Sequence, residues 1–174
     1  MSDKWWMLTL IGRDSPGIVA AVTRALAKAG ITLGETSMLR LGGNFTVMMM
    51  VSGDTDEERL GSLLAPVVEQ RGLRLHIDPI EAELHQHLVP NVQVTVSGPD
   101  RTGMVAQVTS ALAEGGFNIL DLESDVAGTP REPLYIIQIS GIAVEPVERI
   151  EERLAAIRDT GISVNVVPVD TYIG

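Results

Sequence analysis

The stretch Gly12-Arg13-Asp14-Ser15-Pro16-Gly17-Ile18-Val19 returns 86 positions later as Gly98-Pro99-Asp100-Arg101-Thr102-Gly103-Met104-Val105. Ala20 and Val22-Thr23 are matched in the same register by Ala106 and Val108-Thr109. A register kept that long in a chain of 174 residues marks a duplicated module. The sequence is therefore read as two domains of ~80 residues, 1–80 and 91–174, joined by a linker at 81–90. A module of that size buries only about 60% of its unfolded surface, so each is expected to lean on a neighbour.

Within each copy the hydrophobic period switches between two and 3.6 in the same order. Trp6-Met7-Leu8-Thr9-Leu10-Ile11 and Asn91-Val92-Gln93-Val94-Thr95-Val96-Ser97 read as first strands. Ile18, Val22 and Leu26, and then Met104, Val108 and Leu112, make one-sided helical stripes able to cover a sheet. Pro16 fits a first helical turn and Ser15 a cap, while Gly30 and Gly116 fall where the helices stop.

Second strands are expected from Ile31 to about Leu41 and from Phe117 to about Val126. The first hairpin closes at Gly42-Gly43-Asn44, the second through a longer loop from Ala127 to Pro133. Third strands follow at Phe45–Val51 and Leu134–Ile139, with Met48, Met49 and Met50 read as soft interior filling rather than a metal box. Leu60, Leu63, Leu64, Val67 and Val68 form the next helical face, as do Val147, Ile150, Leu154 and Ile157; Pro66 predicts a kink or an altered helix start. Leu73–Ile77 and Ile162–Val167 are the last strands. The order strand, helix, strand, strand, helix, strand permits an α+β module, a four-stranded antiparallel sheet backed by two helices.

Charge and composition narrow the chemistry. With 23 acidic and 13 basic residues the formal charge is −10, which leaves no surplus to neutralise a phosphate backbone, so direct nucleic-acid binding is disfavoured. Sheet-based RNA binders share this element order, but their stacking platform is missing: Phe45 and Tyr135 stand alone in aliphatic third strands. Cysteine is absent, which excludes disulfides, thiolate metal sites and cysteine nucleophiles. His76, His85 and His87 lack a dependable third ligand, so no metal is expected. Neither a serine elbow, a phosphate-loop lysine nor a dinucleotide fingerprint accompanies the helices, so the expectation is a non-enzyme without cofactors. With no apolar run near the roughly 20 residues a span requires, the expected location is cytoplasmic and off the membrane.

The two turns before the first helices are the local candidates for binding. Gly17 and Gly103 leave little bulk near helix-start N–H groups, which suits the carboxylate of a small ligand. The competing account gives Asp14 and Asp100 a capping role alone. Asn118 can donate and accept toward a polar solute, whereas Thr32 at the matched position has only a hydroxyl. Arg13 and Arg101 are further carboxylate anchors, and Glu35 and Asp121 are a repeated carboxylate.

Asp14-Ser15-Pro16-Gly17-Ile18-Val19 with Gly30-Ile31-Thr32-Leu33, and Asp100-Arg101-Thr102-Gly103-Met104-Val105 with Gly116-Phe117-Asn118-Ile119, resemble the ACT domain, over nearly the whole chain. The tandem arrangement resembles that of the glycine cleavage system transcriptional repressor group. The resemblance implies two ferredoxin-like βαββαβ domains with both helices on one face of each sheet. It implies small effectors, such as the amino acids glycine or serine, held where this turn meets a neighbouring module. The positions so implied are Asp14, Gly17, Ile18 and Thr32 in the first copy and Asp100, Gly103, Met104 and Asn118 in the second, to which Arg101 is added as a carboxylate anchor. Thr32 departs from the family's asparagine, which makes the second copy the better binder or leaves the first for packing. A protein partner such as a transcription factor, and a homodimer, complete the expectation; a structural module with degenerated pockets is the alternative.

Overall fold

The computed structural model describes residues 4–81, 88–99, 101–129 and 131–169. The chain divides into two compact units, Met1–His85 and Gln86–Gly174. The first unit runs β1 (Trp5–Arg13), α1 (Ile18–Lys28), β2 (Thr32–Leu41), β3 (Asn44–Ser52), α2 (Glu57–Arg71) and β4 (Arg74–Ile80). The second repeats the order as β5 (Val92–Pro99), α3 (Met104–Glu114), β6 (Phe117–Thr129), β7 (Glu132–Ala143), α4 (Val147–Arg158) and β8 (Ser163–Pro168). Both sheets are antiparallel, ordered β2-β3-β1-β4 and β6-β7-β5-β8, the ferredoxin-like βαββαβ arrangement.

Strand periodicity sets which side is covered. Trp6, Leu8 and Leu10 of β1 and Phe45, Val47, Met49 and Val51 of β3 point to one face, where Ile18, Val22 and Leu26 of α1 and Leu60 and Leu64 of α2 close over them. In the second unit Val92, Val94 and Val96 meet Met104, Val108 and Leu112 of α3 and Ile150 and Leu154 of α4. Burying each such aliphatic side chain stabilises by roughly 1.5–3 kcal/mol, so these stripes hold the helices on the sheets.

Large and small residues exchange between the copies. Val51 of the first unit corresponds to Gly141, whose Cβ would stand 2.1 Å from the Asn118 carbonyl and 2.7 Å from the Phe117 ring. Phe117 occupies the place of Ile31, so the larger ring fills what the missing side chain leaves.

Several local expectations are corrected. Helix α1 begins one residue after Pro16's turn, with Gly17 as N-cap at φ 85° and no side-chain cap, so Ser15 does not cap and Pro16 precedes the helix. Helix α2 starts at Glu57 and continues through Pro66, so Pro66 does not set an altered start; it is exposed, and the carbonyl its missing N–H abandons can meet water. The stretch read as a long loop between β6 and β7 is mostly strand: β6 reaches Thr129 and β7 starts at Glu132. Of the methionine run only Met49 is interior; Met48 is 45% exposed and Met50 half-buried on the opposite face. Strand β4 continues to Ile80, past the end expected at Ile77.

Candidate functional site

Helices α1 and α3 start in an unusual way for this molecule. Gly17 and Gly103 take left-handed conformations, φ 85° and 90°, which only glycine adopts without strain, and no side chain caps either helix. Neither first turn holds an acidic residue. By contrast Asp56 caps α2, its carboxylate accepting from the Arg59 N–H at 2.8 Å, with Glu57 and Glu58 following. Among the described residues, the starts of α1 and α3 therefore have no capping or first-turn carboxylate against the positive dipole end, and α2 does.

Asp14 is not a cap. Its carboxylate pairs with Arg40 of β2, while its N–H donates to the Gly43 carbonyl at 3.1 Å, docking the turn on the β2–β3 hairpin. Asp100 lies outside the described residues. The side chains of Ile18 and Met104 are 2% and 3% exposed within the cores, so what they offer a ligand is backbone. The Met104 N–H already donates to the Arg101 carbonyl at 3.2 Å. Arg13 is exposed at the end of β1, in register with Asn44.

An arginine bridges each helix start to the following helix's end, from opposite sides in the two units. Arg71, last residue of α2, donates Nη1 to the Pro16 carbonyl at 3.0 Å, and its Nη2 lies 3.4 Å from where a Gly17 Cβ would be. In the second unit Arg101 of the turn donates Nη1 to the Thr160 carbonyl at 3.3 Å, and nothing among the described residues lies within 4 Å of a Cβ at Gly103. Arg71 was not singled out from the sequence. Aligning Gly72 with Gly161 reveals it, because Arg71 then faces Thr160 as Ser15 faces Arg101.

Thr32 and Asn118 do not join these turns within their own units. Thr32 opens β2 opposite Ser52, and Ser52 is also level with Trp5 at the start of β1, whereas Asp14 and Gly17 follow the far end of β1. Asn118 opens β6 opposite Ile142, and the 11 residues of α3, about 16 Å of helix, separate it from Gly103. Both side chains are exposed. Glu35 and Asp121 are exposed on β2 and β6, beside matching register breaks.

An open groove of about 500 Å³ lies elsewhere, between the start of α2 and β4, lined by Glu57, Glu58, Gly61, His76 and Asp78, and it holds none of the sequence-predicted ligand residues. No cluster of three metal-ligating side chains occurs among the described residues; His85 and His87 lie outside them. No described helix is long and apolar enough to cross a membrane.

Known proteins resemble this chain in sequence and in fold. The chain is 24% identical over 146 residues to the glycine cleavage system transcriptional repressor of Escherichia coli K12, covering 83% of this chain and 77% of that protein. It is 38% identical over 74 residues to a UPF0237 protein of Listeria monocytogenes, covering 41% of this chain and 83% of the relative. A crystal structure of an unknown protein from Galdieria sulphuraria superposes with a TM-score of 0.76 at 22% identity, covering 97% of this chain and all of that one, a likeness of fold. Family models described as the ACT domain match residues 6–78 and 92–161, one in each unit. With the repeated βαββαβ units and glycine-initiated first helices, these matches place the chain in the ACT-domain family, as a tandem pair.

Proposed function

We propose that this chain is a non-enzymatic sensor that binds a small amino acid, such as glycine or serine, at the start of α3 and relays occupancy to a protein partner. One observation carries the proposal: among the described residues the α3 start is uncapped, free of first-turn carboxylates, and open above Gly103. A ligand carboxylate placed there accepts from free helix N–H groups and gains about 0.3–1 kcal/mol from the helix field, up to ~2 where water is excluded. Asn118 sits at the other end of the unit, so it serves a ligand held against a neighbouring module. A second ACT module lying antiparallel along the β6 edge brings its own strand start beside this helix start, which is why the active form is taken as a homodimer.

The regulatory target comes from likeness alone. The Escherichia coli relative is named a glycine cleavage system transcriptional repressor, and by that likeness the partner is a transcription factor governing glycine cleavage. The net charge of −10 favours a protein intermediary over direct nucleic-acid contact. An almost complete switch needs about 5.5 kcal/mol of preference between two states; a graded sensor needs less. In the first unit Arg71 occupies the space over Gly17, which favours the packing role there.

Titration calorimetry of the full chain with glycine and with serine tests this. Saturable binding is expected, weakened by Asn118→Ala with no change in thermal midpoint. Absence of binding through millimolar concentrations rejects the sensor.

A further inference from the structure

We infer that the helix-free face of the first unit's sheet is a docking surface for a second copy of this chain, sheet face against sheet face. Register places Trp5, Met7 and Ile11 of β1, Met48 and Met50 of β3, and Leu39 of β2 on the side opposite α1 and α2. Ile11, Leu39 and Met48 are 43%, 54% and 45% exposed, and Met48 lies diagonal to both of the others across Thr46. Trp5 is held flat on it: a Cβ at Gly34 would lie 2.7 Å from the indole, so glycine there lets the ring rest on β2. Exposed large apolar side chains with a fixed aromatic, broken only by small hydroxyl residues, suit an interface centre.

The second unit shows that the fold does not require this face. At the positions matching Met7, Ile11, Leu39, Met48 and Met50 it carries Gln93, Ser97, Asp125, Gln138 and Ser140, in the same register. Asp121, Glu123 and Asp125 stand along β6 on that face, beside Ile136 and Leu134 of β7, so stacking it on a copy of itself sets carboxylates against carboxylates and it is the less apolar match for the first. The first unit's face does match itself. Its charged positions lie at the rim, Arg13 at the end of β1, Arg74 and Asp78 on β4 cancelling and Glu35 at the β2 bulge, so two copies meet across an uncharged centre of Thr9, Thr46 and Met48.

The area suffices. Four strands about 4.8 Å apart and about 30 Å long project on the order of 570 Å², which side-chain relief raises toward the ~800 Å² per partner of a stable interface. Sheets stacked about 10 Å apart interdigitate methionine, leucine and tryptophan side chains, and methionine adapts to the two-fold mate.

Sedimentation of the ligand-free full chain tests the inference, apart from amino-acid binding. Wild type is expected at a multiple of the 18.7 kDa chain mass, and Met48→Glu at half that multiple, its dissociation constant raised on the order of 100-fold by an unpaired charge in the contact. Met48→Gln, the residue the second unit carries there, is the milder variant should the glutamate impair folding, and Gln138→Glu is expected to leave assembly unchanged. Peroxide should oxidise Met48 slowly in the assembly and faster on dilution. A monomeric wild type at roughly 100 μM overturns the inference, whether Met48 is then shielded by the chain's own second unit or left open for another protein. So does a Met48→Glu chain, folded by circular dichroism, that assembles as tightly as wild type.

Discussion

The two units share a core and differ on their surfaces. Both bury the same stripes from the same strands and helices, yet one sheet face is apolar where the other is polar and acidic. One helix start is covered by an arginine from the end of the following helix, and among the described residues its counterpart is open. Core positions tolerate only volume-compensated exchange, as in Ile31 with Val51 against Phe117 with Gly141, because packed interiors transmit every methylene. Surface positions lie outside that constraint, so duplication leaves them able to take separate roles.

Undoing that exchange is expected to have the largest effect. Gly141→Val gives the second unit the residue its twin carries, but the new Cβ meets the Asn118 backbone oxygen at 2.1 Å. Backbone cannot step aside as a side chain can, so a loss of about 3 kcal/mol or more is expected in urea unfolding. Adding Phe117→Ile removes the ring contact and leaves the carbonyl, so it should restore less than half. Full recovery in the double variant would mean the ring alone forbids the side chain.

Much of this architecture was legible because the repeat carries its own periodicities. The stripes Ile18, Val22, Leu26 and Met104, Val108, Leu112 named the buried helix faces correctly. Strand limits were harder. Gly128 and Pro133 read as loop, but β7 at Pro133 lies beyond the last β5–β7 pair, Pro99 with Leu134, so a proline there costs no bond to β5. Three successive methionines hid a period of two that Phe45, Val47, Met49 and Val51 preserve. At the candidate site, the glycines and the exchange of Thr32 for Asn118 were visible in sequence, whereas the separation of Asn118 from Gly103 was not, since sequence spacing does not reveal that a helix carries them to opposite ends. The role of Asp14 was also hidden, because its partner Arg40 belongs to a different strand.

Arg71→Ala probes the second difference and should act moderately. It removes one hydrogen bond, to the Pro16 carbonyl, and also a buried Nε with no partner, so the net cost is about 1 kcal/mol or less. The space over Gly17 then becomes like that over Gly103. Calorimetric stoichiometry is expected to rise from one amino acid per chain toward two. Unchanged stoichiometry would place the first unit's deficiency at Thr32 instead of the arginine.

The smallest effect is expected from the pair that ties the first turn to its hairpin. Arg40 is 68% exposed and Asp14 24%, so solvent screens their attraction, and such pairs contribute about 0–1 kcal/mol. The second unit carries Val126 where the first has Arg40, and Val126 is 56% exposed without a guanidinium beside it. Arg40→Val therefore copies an arrangement the fold already accepts. The Asp14 N–H keeps its bond to Gly43, so the turn stays docked by backbone after the guanidinium is gone. A fall in thermal midpoint of at most about 4 °C is expected, shrinking further near 1 M salt as the Debye length drops to about 3 Å. A loss several times larger, insensitive to salt, would show that the ion pair rather than the backbone holds the first helix start in place, and the open second start would then owe its shape to a different anchor.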